Sequence, residues 1–163
     1  MKKLDILVQD FLTQKKIAVV GDSDKGDSGC NLSYTKLRGS GYQVNGVNPR
    51  LSKYDGAPGY PELKSTSEEP DAVFILTNPA ITDQIVEQCI DLGVKHVWMY
   101  GMLRTKPGLA PSMSSASKEA VEKCRASGIA IIAGSCPNQF LKPDLGHRVM
   151  RGIWSPFGCL SVN

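Results

Sequence analysis

Gly21, Ser23 and Gly26 follow the apolar run Ile17-Ala18-Val19-Val20 at the spacing G-x-S-x-x-G, and residue types in that order suit the capture of a phosphate. A strand covered on both faces ends at Gly21, the chain turns sharply, and the next helix can aim its unbonded main-chain N–H groups at an anion. Serine stands where the dinucleotide fingerprint has its second glycine, so the backbone approaches a diphosphate less closely while a hydroxyl is added. Lys25, in the same loop, would sit beside the helix terminus and suit a diphosphate. Asp22, Asp24 and Asp27 share that loop and would repel one. A tight strand-to-helix turn without a ligand is the competing reading of the motif.

A second group of candidate residues lies about one strand further on. A nicotinamide dinucleotide requires an acid at the end of the second strand to hold the ribose hydroxyls. Here that place reads Val47-Asn48-Pro49-Arg50, with Lys53 beyond it. A cation in place of the acid suits a phosphate on the ribose, either the 2′-phosphate of NADP or the 3′-phosphate of coenzyme A. Taken alone, each cation is equally a solvated surface charge.

The elements that must position these residues alternate along the chain. Leu4, Leu7, Val8 and Phe11 recur at helical spacing and predict a short amphipathic helix over about 5–13. Strands are expected at 16–20, 42–47, 71–76, 95–99 and 129–133. Helices are expected at 31–38, from Asn78-Pro79 to Gly93 with Ile81, Ile85, Val86, Cys89 and Ile90 as the apolar stripe, and at 117–127. The turn formers of 50–60 and the segment 103–115 read as loops, Gly134-Ser135-Cys136-Pro137 as a turn, and Gln139 to Leu145 as a helical turn. This rhythm predicts an α/β fold, a Rossmann-like doubly wound parallel sheet of about five strands with helices on both faces. Ligands in such sheets bind beyond the carboxyl ends of the strands. Candidate positions therefore extend to Thr77, Asn78 and Pro79, to Tyr100, Gly101 and Met102, and to Cys136 and Pro137.

Composition bounds the class. The 163 residues, 41% hydrophobic and 21% charged, predict one soluble domain across 1–163, with a helix within 1–15 and an irregular tail from 138 to 163. No apolar run approaches the length of a membrane span, and Asp5 and Asp10 interrupt what would be the core of a signal peptide. The five cysteines lack a C-x-x-C pair or metal spacing, so a reduced, cytoplasmic compartment and no metal are the expectation. A net charge of +3 without a basic stripe interleaved with aromatics argues against nucleic acid. Trp154 and Phe157 in the tail are expected to cover a sheet edge or to be buried against a second copy in a homodimer.

Seven segments carry a resemblance: Val-Val-Gly-Asp-Ser at 19–23, Gly-Tyr-Gln-Val at 41–44, Val-Asn-Pro-Arg at 47–50, Gly-Ala-Pro-Gly-Tyr-Pro-Glu-Leu at 56–63, Asp-Ala-Val-Phe-Ile at 71–75, Gly-Val-Lys-His-Val-Trp-Met at 93–99 and Cys-Pro at 136–137. Together they resemble the small stand-alone CoA-binding protein family and, more distantly, the N-terminal CoA-binding domain of the succinyl-CoA synthetase α subunit. The resemblance implies coenzyme A or an acyl-CoA at the switch point of the sheet. Gly21, Asp22, Ser23 and Lys25 would meet the diphosphate, and Asn48, Pro49, Arg50 and Lys53 the ribose phosphate. Thr77, Asn78 and Pro79 would flank the adenine or the start of the pantetheine, with Tyr100, Gly101, Met102, Cys136 and Pro137 at the farther end. The chain departs from the family in the acids of the first loop and in Tyr100, where a glutamine or an acid is more usual.

No catalytic residue is assigned. The synthetases that this chain resembles use a phosphohistidine from a second domain, and no such domain is expected within these residues. His96 is expected at the amino end of the sheet, away from the crevice; His147 has no identifiable partner; Cys136 is the best-placed nucleophile but of a residue type usually buried. Three readings stand: a CoA or acyl-CoA binding module without chemistry of its own, an NADP-binding oxidoreductase or redox sensor, and a Rossmann-shaped scaffold that has lost its nucleotide.

Overall fold

Every residue of Lys16–Val20 after the first is buried, and alternate side chains serve two different cores. The computed structural model describes residues 3–21, 29–50, 52–54, 56–101, 114–141 and 145. In chain order the elements are α1 (Lys3–Thr13), β1 (Lys16–Val20), α2 (Gly29–Arg38), β2 (Gln43–Val47), β3 (Lys53–Tyr54), β4 (Ala57–Tyr60), β5 (Ala72–Ile75), α3 (Pro79–Asp91), β6 (His96–Tyr100), α4 (Lys118–Ala126) and β7 (Ala130–Ser135). They form one sheet in the order β3-β4-β2-β1-β5-β6-β7. All pairings are parallel except that of the two-residue β3 with β4.

The side-chain period of two divides the strands between the faces. Ile17, Val19, Ala72, Phe74, Trp98 and Ile132 pack with Leu4, Val8 and Phe11 of α1 and Tyr34 and Leu37 of α2. Ala18, Val20, Val73, Ile75, Val97, Met99 and Ile131 pack on the other face with α3, α4 and Leu63. Covering both faces is why these strands read as continuous apolar runs. Trp98, wholly buried, anchors the first core: its ring meets Phe11, Phe74 and Phe140 edge-on at 5.3, 6.2 and 5.8 Å, and its Nε1–H donates to the Ser135 carbonyl at 2.9 Å. Edge-on aromatic contacts of this kind contribute roughly 0.5–1.5 kcal/mol beyond burial.

Local chemistry sets the helix ends. Asn78 Oδ1 accepts from the Ala80 N–H at 3.0 Å with Pro79 in the first turn, and α3 ends before Gly93, whose φ of 69° is left-handed. Ser117 Oγ caps α4 through the Ala120 N–H at 2.9 Å and also donates to Asp83 Oδ1 of α3 at 2.6 Å, tying the two helices together. Among the described residues no helix is long and apolar enough to cross a membrane.

Three expectations are corrected. The sheet has six parallel strands rather than about five, because Ala57–Tyr60, inside the expected loop, pairs with β2 through Gly46↔Gly59 and Val47↔Tyr60. Proline is tolerated there because β4 lies next to the edge, where little ladder remains to be paired. β7 runs on through Gly134 and Ser135 instead of turning there, with a bulge between Met99 and Tyr100 absorbing the mismatch. On α3 the buried residues are Thr82, Ile85, Val86 and Cys89, while Ile81 and Ile90 are exposed. A 3-10 turn at Pro137–Gln139 follows β7, and the helical turn expected from Gln139 to Leu145 falls in part on residues outside those described. The tail expectations for His147, Trp154 and Phe157 fall outside the described residues.

Candidate functional site

A groove of about 580 Å³ opens at the carboxyl ends of β1, β2 and β5. The order β2-β1-β5 places successive connections on opposite sides of β1, and such a reversal leaves a crevice that no crossover fills. Val20 and Gly21 line it from β1, Val47 to Arg50 from β2, Leu76 to Asn78 from the end of β5, and Ile81, Gln84, Ile85 and Gln88 from α3; Pro61 and Glu62 close one end.

Gly21 holds the junction. Its φ is 102° and a β-carbon there would stand 3.0 Å from the Leu76 carbonyl carbon, so a side chain is excluded both by conformation and by space. Its N–H still donates to the Val47 carbonyl at 3.0 Å, which keeps β1 and β2 together to the lip of the groove. Asn48 is pinned from both sides: its N–H donates to the Tyr60 carbonyl at 2.8 Å and its Oδ1 accepts the Arg50 N–H at 2.9 Å. That local turn, with Pro49 between, projects Arg50 outward. Arg50 is exposed and, among the described residues, makes no ion pair, so its guanidinium is available to an anion. On the opposite wall Thr77 Oγ1 lies 2.9 Å from Thr82 Oγ1, and Thr82 Oγ1 donates to the Asn78 carbonyl at 3.2 Å. These hydroxyls hold the entry of α3 against the end of β5.

Of the sequence candidates, Gly21, Asn48, Pro49, Arg50, Thr77 and Asn78 line this one groove. Pro79 is half-buried at the start of α3 and Lys53 is exposed on β3; neither lines it. Asp22, Ser23, Lys25 and Met102, with Asp24 and Asp27, lie outside the described residues. Tyr100, Gly101, Cys136 and Pro137 stand at the carboxyl ends of β6 and β7 and do not border the groove. The Tyr100 carbonyl accepts from the Ser115 N–H at 2.8 Å and from Ser114 Oγ at 3.3 Å. Gly101 abuts Gly134 so closely that a β-carbon would stand 2.3 Å from the Gly134 Cα. Cys136 is buried. Burial pushes its thiol above the ordinary cysteine range, while main-chain N–H groups of Asn138 and Gln139, the Asn138 side chain and Lys36 act weakly in the other direction. His96, as expected, begins β6 at the amino end of the sheet, its Nε2 3.0 Å from Asp10 Oδ2.

Reading by spacing missed Pro61, Glu62, Gln84 and Gln88 as groove residues. A signal was present in α3: Ile81, Ile85 and Gln88 recur at 4 and 3 residues, a second helical face offset from the buried Thr82, Val86 and Cys89. No group of three His, Cys, Asp or Glu residues among those described is placed to hold a metal ion.

Comparison with known proteins identifies the family and the fold. The CoA binding domain family matches residues 15–139. A hypothetical protein from Pyrococcus horikoshii OT3 is 28% identical with a TM-score of 0.72, over 87% of this chain and 93% of that one. A Thermus thermophilus protein, cell-free ID.343, is 21% identical with a TM-score of 0.67, over 83% and 93% of the two chains. The apo form of a dinucleotide-forming acetyl-coenzyme A synthetase from Ca. Korarchaeum cryptofilum shares the fold at 20% identity and a TM-score of 0.58, covering 72% of this chain but 25% of its own.

Proposed function

Because the chain belongs to the CoA-binding domain family, we propose that the groove between β1, β2, β5 and α3 holds the phosphorylated adenosine of coenzyme A or an acyl-CoA. The observation that carries this reading is Arg50: an exposed cation without an ion pair among the described residues, at the end of β2, lining the groove. An acid at that place would favour unmodified ribose hydroxyls; a guanidinium favours a phosphate on the ribose. Gly21, with Asp22, Ser23 and Lys25 of the following loop, is then the place of the diphosphate, and Asn48 and Pro49 support the ribose phosphate. Lys53 would act on that phosphate only through the longer-range field. Thr77, Asn78 and Pro79 flank the nucleoside. The pantetheine arm would cross the carboxyl edge of the sheet toward Tyr100, Gly101 and Met102, with Cys136 and Pro137 beyond. The protein acts in this reading as a carrier or sensor of CoA without chemistry of its own.

The same cation would suit the 2′-phosphate of NADP, so the test compares ligands. A ligand that binds only the folded state at one hundred times its dissociation constant adds about 2.7 kcal/mol of stability. Thermal denaturation with CoA, acetyl-CoA, dephospho-CoA, NADP and NAD should show the largest rise with CoA or acetyl-CoA. Arg50→Ala should weaken CoA about tenfold, through loss of one charge-assisted contact, and leave dephospho-CoA nearly unchanged. Stabilisation by NADP and not by CoA at millimolar concentration would reverse the assignment, and silence from all five would leave a scaffold without a nucleotide.

A further inference from the structure

Gln88 is a groove residue whose hydrogen-bonding sense is set by the fold. The Leu63 main-chain N–H donates to Gln88 Oε1 at 3.2 Å, and among the described residues Nε2 has no partner. With one lone pair of Oε1 committed to the main chain, the carboxamide is oriented and its Nε2 donors are left for a group that enters. Glu62, next to Leu63 in sequence, lines the same end of the groove and offers acceptors. Ile81, half exposed, and Ile85, buried, lie on the same helical face as Gln88 and give an apolar wall suited to a flat ring.

A donor beside an acceptor, against an apolar wall, complements the edge of adenine, whose N1 accepts and whose 6-amino group donates. We infer that Gln88 is a base-selecting residue, its Nε2 donating to adenine N1 while Glu62 accepts from the 6-amino group. A 6-oxopurine reverses both senses: its N1–H would face the Gln88 donors and its 6-oxygen the Glu62 carboxylate. Mismatched polar groups in a partly buried site discriminate more strongly than a missing apolar contact. The inference rests on the coenzyme A reading.

Calorimetric titration of the full chain with adenosine 3′,5′-bisphosphate and inosine 3′,5′-bisphosphate tests it. The wild type should prefer the adenosine ligand by about tenfold or more. Gln88→Glu keeps an acceptor for the Leu63 N–H but removes the donors, and should lose that preference or invert it. Equal binding of the two ligands to the wild type, or an equal loss of both in Gln88→Glu, overturns the assignment of Gln88. The wild-type comparison needs no substitution, so a poorly folding variant would not shelter the inference. If neither bisphosphate binds the wild type, the coenzyme A reading falls and the inference with it, an outcome distinct from binding without discrimination.

Discussion

The carboxyl edge of this sheet has two unlike halves. At β1, β2 and β5 it opens into a groove with an available guanidinium, a side-chain-free turn at Gly21 and a donor-presenting carboxamide. At β6 and β7 the described residues are closely packed: Gly101 packs on Gly134, Trp98 donates to the Ser135 carbonyl, and Ser135, Cys136, Asn138 and Gln139 are buried. Taken without the switch point, the rule that ligands bind beyond the carboxyl ends of parallel strands nominates both halves. What separates them is packing. Where a strand reversal parts the connections, side chains are left facing the groove; where β6 and β7 run side by side, the described strand ends pack on an aromatic core.

That contrast can be broken from either half, and the largest effect should come from the closely packed one. Trp98→Ala removes a wholly buried ring and its indole hydrogen bond and should destabilise the fold by about 3–5 kcal/mol, read as a lowered urea midpoint; a loss under 1 kcal/mol would mean that this half is loosely packed. Gly21→Val forces a branched side chain into φ 102° against the Leu76 backbone and should cost roughly 1–3 kcal/mol while abolishing the thermal response to CoA.

Alkali probes the buried thiols. Burial pushes the Cys124 thiol from 9.0 up to about 12, and Cys89 is raised in the same way. Between these values the unfolded chain releases thiol protons that the folded chain retains, so stability should fall as pH rises from 9 toward 12 and be insensitive to these groups below 9. Urea titrations across that range check the sign, and Cys124→Ala should flatten the decline; stability unchanged up to pH 12 would show the thiols to be accessible. Smallest of all, Arg50→Ala should alter the unliganded stability by no more than about 0.5 kcal/mol, since its exposed guanidinium makes no ion pair among the described residues. A larger loss would make Arg50 a structural residue rather than an available cation.

The parts that were legible in the sequence share a local cause. Asn78-Pro79 and Ser117 announce their helices because capping is a bond between neighbours in the chain. The alternate burial of β1, β5 and β6 follows from runs of apolar residues with no polar face to spare. β4 was hidden because Ala57–Tyr60 pairs by main chain, and its Pro-Gly pair reads locally as a turn. Ile81 leaves its expected place on the apolar stripe, with Thr82 buried beside it, for a related reason. The Thr82 hydroxyl is satisfied by Thr77 and the Asn78 carbonyl, so it is buried without penalty, and Ile81 is left at the groove.

By itself the amino-acid order determined the α/β alternation, the glycine at the first strand's end and the cation at the second, since each depends on residues close together in the chain. Tertiary structure alone decided that Gln88 joins Gly21, Arg50 and Thr77 at one groove while Tyr100 and Cys136 do not border it. The physical reason is that strand order, not spacing, sets which loop ends converge, and packing decides which of their side chains remain open to a ligand.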